Sequence, residues 1–173
     1  IFDTYAMKCV QSGVASVCIR CLRALCALGG GKELGANHST AFCVVVLQML
    51  ASGAGCAREI LARLSYQGNR NELRDLLSTA ITLGPDTVRS FGWFKTEVYA
   101  AMAMAVIYGR EEGDADGDDG QDVTVPTTVI DSLLLMYREM LDGNNPGSPV
   151  NMANCLLPLS ISDANTAVLV HSL

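Results

Sequence analysis

One short apolar stretch, which ends a predicted helical segment, recurs along this chain of 173 residues and constrains its fold more than any other feature. It is the stretch Leu25-Cys-Ala-Leu-Gly29, and related stretches begin at Leu64, at Ala105 and, more loosely, at Leu159. Their first residues lie 39, 41 and 54 positions apart, and the last interval contains an acidic, glycine-rich insert of 13 residues, 110–122. Without the insert that interval is also 41. A period of about 40 residues in a helical chain is typical of stacked helical repeats.

The segments between these endings have helical periodicity. From Val14 to Leu28, apolar side chains recur at intervals of three and four residues, which is the spacing of one helix face. The segment 41–51, with Ser39 or Thr40 as its N-cap, is apolar all round, so we expect a central helix that is covered on several sides. A turn is expected at 84–86. Further helices are predicted over residues 1–12, 56–66, 71–83, 96–108, 129–141, 150–159 and 164–173.

The composition is unusually apolar, since 50% of the residues are hydrophobic and 17% are charged. Either a membrane protein or a piece of a larger helical array has such a balance. A membrane-spanning helix needs about 20 consecutive apolar residues. The longest apolar centre covers only residues 41–51 and contains Gln48, so we expect no span. The chain begins at Ile1 and stops at Leu173 within an apolar run, which suggests a fragment of a longer protein.

The net charge and the cysteine content indicate which classes of partner and which cellular compartment to expect. The net charge is −6 and the 12 Lys and Arg residues are scattered, which argues against nucleic acid and anionic membranes as main partners. Seven cysteines are an odd number, and most stand among apolar residues as buried free thiols do. An intracellular, reducing compartment, cytoplasmic or nuclear, is therefore expected.

The cysteines offer the main candidate chemistry. Cys18 and Cys21 form a C-x-x-C pair, and Cys26, His38 and Cys43 follow. A zinc site would need a second ligand pair and at least one pair in a tight loop. Both thiols of the pair lie in a predicted helix, so core packing is the favoured interpretation. The alternative is a thiol- or metal-based regulatory site around Cys18, Cys21 and Cys43.

The acidic insert resembles the start of a calcium loop, because carboxylates alternate from Asp114. The glycine and the closing glutamate that an EF-hand loop requires are replaced by Asp119 and Val125. We therefore expect a solvated loop between repeats, whose charge can tune the choice of a partner. The carboxylates that would act in this way are Glu111, Glu112, Asp114, Asp116 and Asp118.

The sequence contains no recognisable catalytic set. His38 and His171 are far apart, and no phosphate-binding or nucleophile motif occurs. We expect neither enzymatic activity nor a cofactor. The aromatic group Phe91, Trp93 and Phe94 is more often buried at a helix corner, but an exposed Trp93 would be the best anchor for a partner.

Several segments resemble armadillo and HEAT-type repeats. Residues 39–53 are similar to a second repeat helix, 56–68 to a third, and 21–29 to the small-Leu-x-x-Leu pattern of a third helix. The pair 129–141 and 150–159 repeats the arrangement. The resemblance implies a right-handed superhelical stack of three to four repeats over residues 1–173, in one domain. It also implies a protein–protein interaction scaffold that binds another protein or the rest of its own longer chain.

One departure from the family pattern bears on function. In peptide-binding armadillo proteins the third helices carry asparagines that hold the backbone of an extended peptide. The corresponding positions here are Ala27, Tyr66, Ile107 and Ile161. The resemblance therefore implies stacking and assembly, without peptide capture in the usual groove.

Overall fold

The structure, a computed structural model, describes residues 1–29, 38–66, 70–87, 96–108, 125–144 and 149–159. Over these residues the chain is all-helical and contains no strand, which confirms the predicted all-α class. The described helices are α1 (Phe2–Gln11), α2 (Val14–Gly29), α3 (His38–Ala51), α4 (Cys56–Tyr66), α5 (Arg70–Thr87), α6 (Thr96–Tyr108), α7 (Thr127–Leu141) and α8 (Pro149–Leu159).

The chain divides into two compact units, Ile1–Ile107 and Tyr108–Leu173. The first unit contains α1 to α5 and nearly all of α6, and the second contains α7 and α8. The single domain expected over residues 1–173 stays a prediction. The helix expected over 164–173 lies outside the described residues.

Two helix ends differ from the sequence prediction. Helix α3 begins at His38, so Ser39 and Thr40 lie inside the helix, and Thr40 is fully buried instead of serving as a cap. Helix α5 continues through the turn predicted at 84–86 and ends at Thr87. Pro85 lies in the last turn of α5, where its missing N–H removes a single helical hydrogen bond.

Gly13 separates α1 from α2, as the sequence predicts. Its φ angle is +91°, in the left-handed region that glycine adopts without steric cost. The Gly13 N–H donates to the Val10 carbonyl at 3.1 Å, and the Val17 N–H donates to the Gly13 carbonyl at 3.0 Å. The second helix therefore starts directly after the turn.

Helix α1 lies against the turn that joins α3 to α4. The Ala54 N–H donates to the Asp3 carboxylate at 3.0 Å. A Cβ atom on Gly53 would stand 2.8 Å from the Ala6 Cβ and 3.0 Å from the Cys56 Sγ. These distances are shorter than van der Waals contact, so the close approach of α1 requires glycine at position 53.

The core of the first unit is built by neighbouring helices. Helix α1 packs on α2, α3 and α4, while α2 also packs on α3 and α5, and α4 packs on α3 and α5. Each fully buried aliphatic side chain stabilises the unit by about 1.5–3 kcal/mol relative to an exposed one. The largest of them are Leu22, Leu47, Ile60, Leu73, Leu77, Ile81 and Met104.

An ion pair joins α2 to α5 at the surface. The guanidinium of Arg23 makes a two-pronged contact with the carboxylate of Glu72, in which Nη2 and Oε2 are 2.6 Å apart. Both side chains are partly exposed, so the pair fixes the register of the two helices more than it stabilises them.

In the second unit, α7 packs on α8. Ile130, Leu133 and Leu134 are buried on α7, as the helical spacing predicts. The same spacing predicts an inward Leu141, but this side chain at the end of the helix is exposed. Met152 is the fully buried residue of α8.

None of the described helices is by itself long and apolar enough to cross a membrane. Two pairs of consecutive helices reach that length and composition only together, and they are bent by 58° and 118° at the break.

Candidate functional site

The partner-binding residues predicted from the sequence lie outside the described part of the chain. This applies to the aromatic group and to the acidic insert, which both stay predictions. They are Phe91, Trp93, Phe94, Glu111, Glu112, Asp114, Asp116 and Asp118.

The structure brings together the three cysteines that the sequence analysis grouped. Cys18 and Cys21 are one turn apart on α2, and α3, which carries Cys43, packs against α2. The thiol of Cys43 is hydrogen-bonded to Cys18 and also to Cys21. We call these three residues the thiol cluster. It lies at the contact between the two helices.

The members of the cluster influence one another's ionisation. Hydrogen bonding with Cys43 is the largest influence on the pKa of Cys18 and lowers it, while burial acts in the opposite sense. The same bond is the main reason that the pKa of Cys43 is strongly raised. Burial, and then the hydrogen bond with Cys43, raise the pKa of Cys21.

The thiol cluster is within reach of solvent. Cys18 is only 7% exposed, but Cys21 and Cys43 are half-buried. Cys56 of the same unit is different, because it is fully buried and its pKa is raised by burial and by the nearby carboxylates of Asp3 and Glu59. Cys56 thus has the environment of an inert core thiol, whereas Cys21 and Cys43 of the thiol cluster are partly exposed.

All six cysteines whose side chains the structure describes are free thiols. In the described ranges no group of three His, Cys, Asp or Glu side chains is placed to hold a metal ion. The side chain of His38, which the sequence places near these cysteines, is outside the described set.

Apolar side chains are exposed along one side of α2 and one side of α3. On α2, Val14, Val17 and Leu28 share a side because their spacing follows the helical period. On α3, Phe42 and Met49 are two turns apart and are 68% and 52% exposed. We call these five residues the apolar stripes. Single exposed apolar residues are common on soluble proteins, but aligned ones mark contact surfaces.

The position of Cys21 relates the thiol cluster to the apolar stripes. Cys21 lies on the same side of α2 as Val17 and Leu28, and its thiol contacts Cys43 of α3. The cluster is therefore next to the stripe of α2, at the contact between the two helices that carry the stripes.

Sequence reasoning missed the stripe on α3. The segment is apolar all round, and the expectation was a helix covered on several sides. Helix α3 does pack on α1, α2 and α4, and Val44 and Leu47 are fully buried, but Phe42 and Met49 are exposed on the opposite side. A helix without a polar face gives no signal of which side stays uncovered. The size of Phe42 beside smaller neighbours was the only local hint.

Comparison of this chain with protein-family models, with curated proteins and with solved structures finds no match in any of the three.

Proposed function

We propose that this chain is a non-catalytic protein–protein interaction scaffold built from stacked helical repeats of the armadillo or HEAT type. The observation that carries the proposal is the pair of apolar stripes on α2 and α3, because aligned and exposed apolar side chains are typical of binding surfaces.

The helix order supports the repeat part of the proposal. Three of the repeated endings fall at the ends of α2, α4 and α6, and the fourth begins at Leu159, the last residue of α8. Neighbouring helices of the first unit bury their apolar sides on one another, as the members of a repeat stack must. A right-handed superhelix of three to four repeats is the arrangement we propose.

The partner of this scaffold is another protein or a further part of its own longer chain, in a reducing, intracellular compartment. The net charge of −6 makes nucleic acid and anionic membranes unfavourable partners. The insert 110–122 carries many carboxylates, and we propose that it favours partners with a basic surface.

The test replaces both exposed residues of α3 by a charged residue. The Phe42→Asp/Met49→Asp variant and the single variant Phe42→Asp are compared with the wild-type chain and with Ala62→Asp, which adds the same charge as Phe42→Asp at an exposed position of α4. Each purified, tagged protein is used for quantitative capture from a cell extract, and circular dichroism checks that its helical content is unchanged.

We expect the wild type and Ala62→Asp to retain the same proteins, and the α3 variants to retain them less, at least about tenfold for the double variant, equal to about 1.4 kcal/mol of binding free energy. Equal retention by all four proteins would show that the apolar stripe of α3 does not bind a partner.

A second candidate function is a helical domain with a thiol- or metal-based regulatory site. The observation that favours it is the hydrogen-bonded contact of Cys18, Cys21 and Cys43. Stoichiometric zinc in the purified protein that is lost in a Cys18→Ser/Cys21→Ser variant would support the metal form. Metal-free protein with one fast-reacting thiol, which disappears in Cys18→Ser, would support the thiol form.

A further inference from the structure

We propose that the apolar stripe of α3 pairs with the same stripe of a second copy of this chain, in an antiparallel contact across a two-fold axis. This inference rests on the proposed function, because it takes the stripe of α3 to be a binding surface, and it adds the partner and the residues that meet. The axis passes between Val45 and Val46, and Phe42 of each copy lies against Met49 of the other copy.

The exposed side of α3 has a symmetric pattern of residue types. Its members recur at intervals of three and four residues, so they share one side of the helix. The outermost members are exposed, as are the next two inwards, and the two in the middle are half-buried. Counted inwards from both ends, the pairs are two serines, two large apolar residues and two valines. In chain order the members are Ser39, Phe42, Val45, Val46, Met49 and Ser52.

This symmetry is what a two-fold contact requires. Across a two-fold axis, if residue i of one copy contacts residue j of the other, then j also contacts i. Two antiparallel copies of α3, related by an axis between Val45 and Val46, bring each residue against the other member of its own pair. The valines then meet at the axis. The ring of Phe42 meets the thioether of Met49, which is a favourable contact, and serine hydroxyls stand at both ends.

The distribution of charge favours a second copy over a different protein. The net charge of −6 opposes the association of two copies in general, but α3 contains no Asp, Glu, Lys or Arg. Complementary charges commonly select a different partner, and this side of α3 offers none. An antiparallel pair also places the N-terminal end of each helix beside the C-terminal end of the other. The partial charges of the two helix ends attract each other there.

The size of the contact sets its strength. Helix α3 has 14 residues and is therefore about 21 Å long. One pair of such helices buries less than the roughly 1,200–2,000 Å² of a standard interface, so we expect a reversible dimer with a Kd on the order of 100 µM. Such a dimer carries two copies of every other binding surface of the scaffold, which strengthens the binding of a partner that has two sites.

The experiment uses two double variants of the full chain, Phe42→Lys/Met49→Glu and Phe42→Lys/Met49→Lys. The antiparallel contact brings opposite charges together in the first variant and like charges in the second. Within one copy the two positions are about 10.5 Å apart along the helix axis, so the charges do not pair there. The control, Ala62→Lys, adds a charge at an exposed position of α4.

Sedimentation equilibrium under reducing conditions, from about 10 µM to about 1 mM protein, measures the Kd of each chain. Circular dichroism checks the helical content. The variant with two lysines has a smaller negative net charge than the wild type, so general repulsion between copies cannot explain a weaker association of this variant.

We expect the wild type and Ala62→Lys to form dimers with equal Kd. The variant with two lysines should associate at least about tenfold more weakly than the variant with lysine and glutamate, because only the latter places opposite charges at each pair. A parallel contact would bring like charges together in both variants and would make them equally weak.

A second measurement needs no substitution. Hydroxyl-radical oxidation of the wild type, read by peptide mass, compares the side chains at the lowest and the highest protein concentration. We expect Met49 to be protected at the highest concentration, and Tyr5, which is 64% exposed on α1, to be oxidised equally at both. If the double variants lose helical content, this comparison decides, and equal oxidation of Met49 at both concentrations would overturn the inference.

Other results would overturn the inference in distinguishable ways. A monomeric wild type over the whole range refutes the dimer, but the proposed function stands if capture from the extract still depends on Phe42 and Met49. A monomer whose capture does not depend on these residues refutes both. Equal dimerisation of all four chains would place the contact elsewhere on the molecule, and equal weakening of the two double variants would refute the antiparallel pairing.

Discussion

Helices α3 and α6 present the same pattern in the sequence and different surroundings in the structure. Both are apolar on all sides. In α6, Ala100, Ala101 and Ala103 are fully buried, and no residue of the helix is exposed. In α3, one side is buried through Val44 and Leu47 and the other side is left exposed.

The difference between the two helices lies in side-chain size and in what packs around them. Short alanine side chains occupy the fully buried positions 100, 101 and 103 of α6. Phe42 of α3 projects far from the helix axis, and no described neighbour covers it. A helix that is apolar all round and packed on three neighbours can thus still leave one side exposed, and such a side is a candidate for binding.

The largest expected difference in stability comes from placing a charged residue on each of the two helices. Ala103→Asp places a carboxylate in a fully buried position, where an unpaired charge costs several kcal/mol, so we expect a loss of roughly 3–5 kcal/mol or complete unfolding. Phe42→Asp should change the free energy of unfolding by less than about 0.5 kcal/mol. Urea denaturation followed by circular dichroism measures both. Similar losses for the two variants would show that the α3 stripe is part of the core.

A second test compares the two sides of α3 itself. Leu47→Ala removes a fully buried side chain and should cost about 2–5 kcal/mol. Met49→Ala, on the exposed side, should cost less than about 0.5 kcal/mol. Denaturant titrations measure the free energy of unfolding of each variant, and the two values are compared directly. If the Met49 variant were the less stable one, our assignment of the buried side would be wrong.

A third test concerns how tightly the covered side is packed near the end of α3. Gly53→Ala adds a Cβ at 2.8 Å from the Ala6 Cβ, so we expect a destabilisation of about 1–3 kcal/mol from overpacking. The second variant, Gly53→Ala/Ala6→Gly, removes the nearest clash and should recover part of that loss. A single Gly53→Ala variant as stable as the wild type would show that α1 can shift at no cost.

The smallest effect is a difference in rate between two thiols of α2. The pKa of Cys18 is lowered and that of Cys21 is raised from the ordinary value of 9.0. Since the thiolate is the reactive form, the alkylation rate of Cys18 should fall off at a lower pH than that of Cys21 as the solution is acidified. Iodoacetamide labelling from pH 6 to pH 10, read by peptide mass, measures the two midpoints. A lower midpoint for Cys21 would contradict the direction of the hydrogen bonds within the thiol cluster.

Much of the secondary structure could be predicted, because helical periodicity is a local property. The bounds of α4 and α6 agree with the prediction, and Gly13 ends α1 as expected. The end of α5 could not be placed, since a glycine and a proline are turn signals in general but are accepted in the last turn of a helix. The start of α3 was misplaced because Thr40, a good capping residue, is instead buried by packing.

The candidate site was predictable only in part. The sequence grouped Cys18, Cys21 and Cys43 by their types and proximity, but core packing was the favoured interpretation. Whether Cys43 meets Cys18 depends on how α3 is rotated and translated against α2, and no local pattern encodes that.

The sequence by itself determined that the described part of this chain is helical, where most of its helices begin and end, and that the recurring stretch closes α2, α4 and α6. Only the tertiary structure decided which side of α3 is covered and which thiol faces which. The physical reason is the separation along the sequence of the residues that interact. Helix formation depends on residues within one or two turns, whereas burial and thiol contacts depend on side chains from helices far apart along the chain.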